Sequence, residues 1–261
     1  MLRDSKAPRG TPLSLSSQAS YLQRVRSFFA FLARRGLLLR NPAADLVLPS
    51  ASPLPRAAVS ESEAARLMDA PRSDTKAGRR DRAILETLYG MGLRRGECAR
   101  LYVSDVDLAA GTLLVRDGKG RKDRMVPVPG RAAAALAIYL RDVRPELVVD
   151  PGEGALFLTA WWGHRLSDVS LSFLLRRHAK AAGIAKAHPH ALRHACATHL
   201  LRGGADVRHV QAILGHKKLE TTGLYTRVVI EDLRQAVAAA HPRERAWQST
   251  RRYNRPLRSA P

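Results

Sequence analysis

The sequence predicts a mainly α-helical fold with one small antiparallel β-sheet. Through most of the chain, apolar residues recur at the spacing that lines one face of a helix. One stretch departs from that period: GTLLVRDGKGRKDRMVPVP, residues 111–129, holds two short β-prone runs around a Gly-Lys-Gly turn, the pattern of a hairpin. A third stretch, PSASPLPR at 49–56, is rich in Pro and Ser and interrupts both periodicities, so it reads as a linker. The expected organisation is a short helical piece over 1–50, a linker at 51–56, a main domain over 57–240 and a basic tail over 241–261.

In chain order, Leu22, Val25, Phe29 and Leu32 define an amphipathic helix over 17–35, stopped by Gly36 and Asn41-Pro42 and carrying Arg24, Arg26, Arg34 and Arg35. Ser60 and Glu63 have the spacing of a capping box and start the next helix. Ile84, Leu85 and Leu88 place another over Asp81 to Tyr89, broken at GMG and restarting near Arg95. Helices follow at 131–142, about 168–181 up to Gly183, and 190–202 up to Gly203-Gly204. The next, 206–214, is capped by Asp206 and closed by Gly215, and the last, 230–240, shows Leu233 and Val237 on one face. From His241 onward, arginines with Pro242 and Pro256 and few apolar residues predict irregular structure.

Lys and Arg number 44 against 23 Asp and Glu, a net charge of +21 over 261 residues that favours a polyanionic partner. Nucleic acid comes first and an anionic membrane surface second. The longest apolar run, AAAALAIYL at 132–140, is too short to span a bilayer and lies between Arg131 and Arg141. MLRDSKAPRG at the start lacks the apolar stretch of a signal peptide. Cys98 and Cys196 each sit in an apolar-periodic segment, as reduced thiols of a cytoplasmic protein do.

Chemistry concentrates in HPHALRH, residues 188–194. On a helix, His190, Arg193, His194 and Ala197 share a face, so an imidazole and a guanidinium point the same way. A planar guanidinium suits the non-bridging oxygens of a phosphate, and an imidazole exchanges protons near neutral pH. LGHKKLETTGLYTRV follows, placing His216 and Tyr225 in a basic setting.

The order GLRRGE around Arg94, the GKG turn with Lys119, HPHALRH with His190 and Arg193, LGH ending at His216, and then Tyr225 resembles the tyrosine recombinase (phage integrase) family, closest to Xer-type and mobile-element integrases. The likeness implies a tyrosine recombinase catalytic fold preceded by a short, partial helical core-binding domain, since only one convincing helix precedes the linker. It implies site-specific cutting and rejoining of double-stranded DNA with no metal, nucleotide or other cofactor. Tyr225 would attack a phosphodiester to leave a 3′-phosphotyrosyl bond and a free 5′-hydroxyl. Arg94 and Arg193 would clamp the phosphate oxygens, His190 would exchange the proton at the nucleophile, His216 would hydrogen-bond the phosphate, and Lys119 would protonate the leaving oxygen. Lys122 is a weaker candidate for that last role. Glu97, one turn after Arg94, either orients the arginine or is a surface carboxylate. The same likeness implies a homo-tetramer on two DNA sites, with a partner recombinase as a possible companion. For the basic tail it leaves solvated decoration, added contacts to the DNA backbone or docking on a neighbouring protomer.

The same residues admit other readings. His190 and His194 have the spacing of a zinc helix, but the general-base Glu of that motif is missing, and Arg193 between them would repel a cation. Helices 190–202 and 206–214 around Gly-Gly could form a helix-turn-helix regulator, which accounts for the charge but not for Arg94, Lys119 or Tyr225. A related DNA-relaxing topoisomerase is a sibling alternative. His164, His178, His188 and His209 read as structural or solvated. Trp161-Trp162 reads as core or DNA-backbone packing.

Overall fold

The computed structural model describes residues 12–49, 58–116, 123–184, 186–215 and 227–253. The chain divides into two compact units, Met1–Arg56 and Ala57–Pro261. The first contains α1 (Leu15–Arg34), whose N-cap Ser14 accepts a hydrogen bond from the Ser17 amide at 3.2 Å. Gly36, at φ +72°, ends the helix in the left-handed conformation that costs glycine least.

The second unit is mostly helical, with local side chains deciding where its helices begin. In α2 (Glu61–Asp69), Ser60 caps the Glu63 amide while the Glu63 carboxylate accepts from the Ser60 amide at 2.7 Å, the capping box read from the sequence. The next helix, α3 (Lys76–Gly90), starts earlier than its apolar residues suggest, because Thr75 caps the Gly78 amide. After α4 (Arg95–Arg100) come β1 (Val106–Asp107), β2 (Thr112–Val115) and β3 (Arg124–Pro127), followed by α5 (Gly130–Ile138). The chain widens into a π turn at Tyr139–Val143 before the single turn α6 (Arg144–Leu147). The remaining helices are α7 (Asp168–Ala181), α8 (Pro189–Arg202), α9 (Val207–Leu214), α10 (Arg227–Ala240) and α11 (Pro242–Tyr253).

The sheet is antiparallel in the order β1-β2-β3, with Leu113 opposite Val126 and Val115 opposite Arg124. β1 adds a strand that two residues cannot announce by alternation. Leu113, Val115 and Val126 join one core with Leu85, Leu88 and Tyr89 of α3 and Leu192 and Cys196 of α8. Both cysteines are free and buried there. Asp81 of α3, fully buried, accepts from Arg80 at 2.8 and 3.0 Å and from Arg177, and lies 2.9 Å from His178 Nε2, tying α3 to α7. His178 is therefore structural.

Two expectations are corrected. Trp161 and Trp162 are 90% and 72% exposed, which excludes the core half of their reading and leaves DNA-backbone packing. Of the tail expected to be irregular, Pro242–Tyr253 is a helix, because proline is well placed in a first turn and buried pairing replaces the missing apolar stripe, and 254–261 lie outside the described residues. Arg243 and Glu86, 157 positions apart, pair in the interior, Glu244 accepts from the Gly130 amide, and Trp247 packs so closely on Gly130 that a Cβ there would lie 2.4 Å from its ring. Removing one partner of such a pair leaves a buried charge, so Arg243→Ala is expected to cost about 3–5 kcal/mol and to lower the melting temperature by roughly 10 °C. A shift under about 2 °C in thermal denaturation would mean that the pair is not needed to hold α11.

Candidate active site

The sequence-predicted arginines meet at a buried carboxylate. Leu93 and Leu101 anchor the ends of the α4 segment in the core, and Arg94 precedes its first turn. The Arg94 amide donates to Glu97 Oε2 at 2.8 Å, and its guanidinium donates to Oε1 at 2.6 Å. From β3, Arg124 reaches the same carboxylate with Nη1 at 3.1 Å and Nη2 at 2.8 Å. Arg193 of α8 brings Nη1 to 3.8 Å of Oε2. Glu97 is buried and orients Arg94, so the surface-carboxylate reading is set aside. Burial alone would raise its pKa, but the Arg124 hydrogen bonds and charge and the Arg94 hydrogen bonds overcome that and hold it at about 2.

Arg193 is also held by the backbone. Its Nη1 donates to the Gly92 carbonyl at 2.7 Å, and its Nη2 donates to the Leu214 carbonyl at the end of α9. Arg124 Nε takes the preceding carbonyl, that of Ile213, at 2.9 Å. Two arginines thus satisfy consecutive carbonyls that the end of a helix leaves open, where the helix dipole also favours cations. Gly92 fits because its φ is +56° and because a Cβ would come within 2.8 Å of Leu214 Cδ2. Burial and the neighbouring Arg94 lower the Arg193 pKa to about 10, which leaves it charged at neutral pH. Three guanidiniums around one carboxylate leave two positive charges in excess, a field fitted to a phosphate.

His190 lies in the first turn of α8, three positions before Arg193, and its ring is exposed. His188 caps that helix, its Nδ1 accepting from the Ala191 amide at 3.2 Å. His194 is exposed as well. Among the described residues, no group of three or more His, Cys, Asp or Glu is placed to hold a metal ion. Lys119, Lys122, His216 and Tyr225 lie outside the described residues. Gly215, immediately before His216, closes α9 at φ +67° as its sequence suggests. Sequence reasoning missed Arg124, one basic residue among several in the hairpin; its burial depends on partners 27 and 89 positions away.

A family model described as the phage integrase family matches residues 58–231, more than half of the chain. The tyrosine recombinase XerC 2 of Ralstonia nicotianae (strain ATCC BAA-1114 / GMI1000) is 46% identical over 239 residues, spanning 91% of this chain and 68% of that protein. A crystal structure of XerA recombinase superposes with a TM-score of 0.56 at 30% identity, covering 92% of this chain and 76% of that one. The XerH site-specific recombinase bound to a palindromic difH substrate, a post-cleavage complex, shares the fold at a TM-score of 0.62 and 24% identity, over 87% of this chain and 67% of that one. Sequence and fold agree on one assignment: the chain belongs to the phage integrase family and is a site-specific tyrosine recombinase, an enzyme that cleaves and rejoins DNA.

Proposed function

We propose that this recombinase acts on double-stranded DNA through a 3′-phosphotyrosyl intermediate formed by Tyr225, with the Arg94–Glu97–Arg193 cluster as its phosphate clamp. The observation that carries the proposal is the excess of positive charge held rigidly around Glu97. A phosphodiester enters with one negative charge and gains a second as a tyrosine oxygen adds. Groups fixed in advance where that charge develops stabilise the transition state more than the ground state. The free energy of the broken P–O bond is kept in the phosphotyrosyl ester and returned when a 5′-hydroxyl attacks it. His190 then serves as the proton carrier at Tyr225, His216 as a donor to the phosphate and Lys119 as the acid for the leaving oxygen.

In this reading residues 57–240 are the catalytic domain, 51–56 the linker and 1–50 a partial DNA-binding domain, with the assembled form a tetramer on two DNA sites. Its cytoplasmic setting and its work on duplex DNA accord with the +21 charge and with the absence, among the described residues, of any helix long and apolar enough to cross a membrane. A nicked suicide substrate tests the mechanism. In EDTA and without nucleotide, an SDS-resistant protein–DNA adduct is expected at the same rate as in magnesium. Abolition by EDTA with rescue by zinc would favour a histidine-bound metal instead.

A further inference from the structure

We infer that Arg124 is a positioning residue of the recombination reaction, the tie that locks Glu97, and through it Arg94, to the carbonyl end of α9. The inference rests on the clamp reading above. Arg124 is 3% exposed, so it is not itself a DNA contact, yet each of its three guanidinium nitrogens is used on the site. Nη1 and Nη2 hold the two oxygens of Glu97, and Nε holds the Ile213 carbonyl. The Glu97 oxygens that receive Arg124 are the same ones that receive the Arg94 guanidinium and amide.

A buried ion pair is a poor source of net stability, because desolvating both charges offsets most of their attraction. What this pair supplies is geometry. Among the described residues, Glu97 without Arg124 would keep only Arg94 and the more distant Arg193 as cationic partners, and could draw Arg94 inward, off the phosphate. The second consequence lies at α9. Arg124 takes the Ile213 carbonyl and Arg193 takes that of Leu214, so β3 and α8 together fix the point from which the chain continues to His216 and Tyr225. Gly215 leaves room for this arrangement: a Cβ on it would lie 3.1 to 3.2 Å from the Arg124 side chain. One side chain therefore registers the hairpin strand, the clamp and the end of α9 against one another. A lysine at 124 keeps the charge but cannot bond both carboxylate oxygens and the carbonyl at once.

The experiment compares the full chain with Arg124→Lys, measuring DNA affinity, melting temperature and single-turnover adduct formation on a nicked substrate, with Tyr225→Phe alongside. Displacements of about 1 Å in a catalytic group can cost about a hundredfold in rate. Arg124→Lys is expected to bind DNA within about threefold of wild type while its cleavage rate at saturating enzyme falls about a hundredfold. Its effect should also be strongly non-additive with that of Arg94→Lys, since both act through one carboxylate. A merely structural residue would lower melting temperature and affinity together and combine additively with Arg94→Lys. Should Arg124→Lys not fold, Glu97→Gln cuts the same tie from its other end and must show the same split between binding and rate. Cleavage by Arg124→Lys within about threefold of wild type, or additive losses with Arg94→Lys, overturns the inference. An adduct that persists in Tyr225→Phe would instead overturn the mechanism on which it rests.

Discussion

Tyr225→Phe is expected to bind its DNA site with near-normal affinity and to form no covalent adduct on a nicked suicide substrate. The substitution removes one oxygen and little volume, so nothing in packing or charge explains a loss of binding. The lost atom is the proposed nucleophile. A tyrosine with a free pKa of about 10 is almost wholly protonated at neutral pH, so its attack depends on a proton carrier and on stabilisation of the charge that builds on the phosphate. Tyr225 is the one tyrosine in the sequence between His216 and Arg227. Electrophoresis under denaturing conditions checks the result, and adduct at the wild-type level would remove Tyr225 from the mechanism.

Arg193→Lys is expected to cleave roughly a hundred- to a thousandfold more slowly, the loss typical of removing one preorganised donor from a developing oxyanion. Arg193 does two tasks at once. It donates to the Gly92 and Leu214 carbonyls, and in the proposed clamp its remaining N–H groups would donate to a phosphate oxygen. An ammonium has no planar fork, so satisfying the two carbonyls withdraws it from the phosphate. Leaving one carbonyl unbonded would instead cost stability in a buried site. Single-turnover cleavage measures the effect; a rate within about tenfold of wild type would argue that Arg193 is a structural strut between α8 and α9 and not part of a clamp.

Much of this fold was legible because its helix ends are written locally. Ser60 with Glu63, and Asp206 with Gly215, lie within a few positions of the groups they satisfy, and α2 and α9 begin and end where those residues indicate. The α7 boundaries, Asp168–Ala181, likewise follow from neighbouring residues. What could not be read depends on partners distant in sequence. α11 is anchored by Arg243 on Glu86, so its own composition, Arg-rich and poor in apolar residues, resembles a solvated tail. In the site, Arg94 and Arg193 were visible through their motifs, and Glu97 was left between two roles that only its burial separates. Arg124 was hidden by the charge of its surroundings: among the basic residues of the hairpin, nothing local marks the one that turns inward. Trp161 and Trp162 show the converse, large apolar side chains whose type suggests a core and whose exposure denies it.

The central claim, a covalent phosphodiester link from DNA to Tyr225, is tested most directly by mass spectrometry of the trapped complex. The full chain is incubated with a nicked suicide substrate, the DNA is trimmed by nuclease, and the protein is digested with trypsin. The tryptic peptide LETTGLYTR, residues 219–227, holds Tyr225 and no other tyrosine. The account predicts that this peptide carries the mass of the residual nucleotide, attached through a 3′-phosphate on Tyr225. A nucleotide on any other residue, or recombined DNA produced with no protein-linked intermediate, would contradict it.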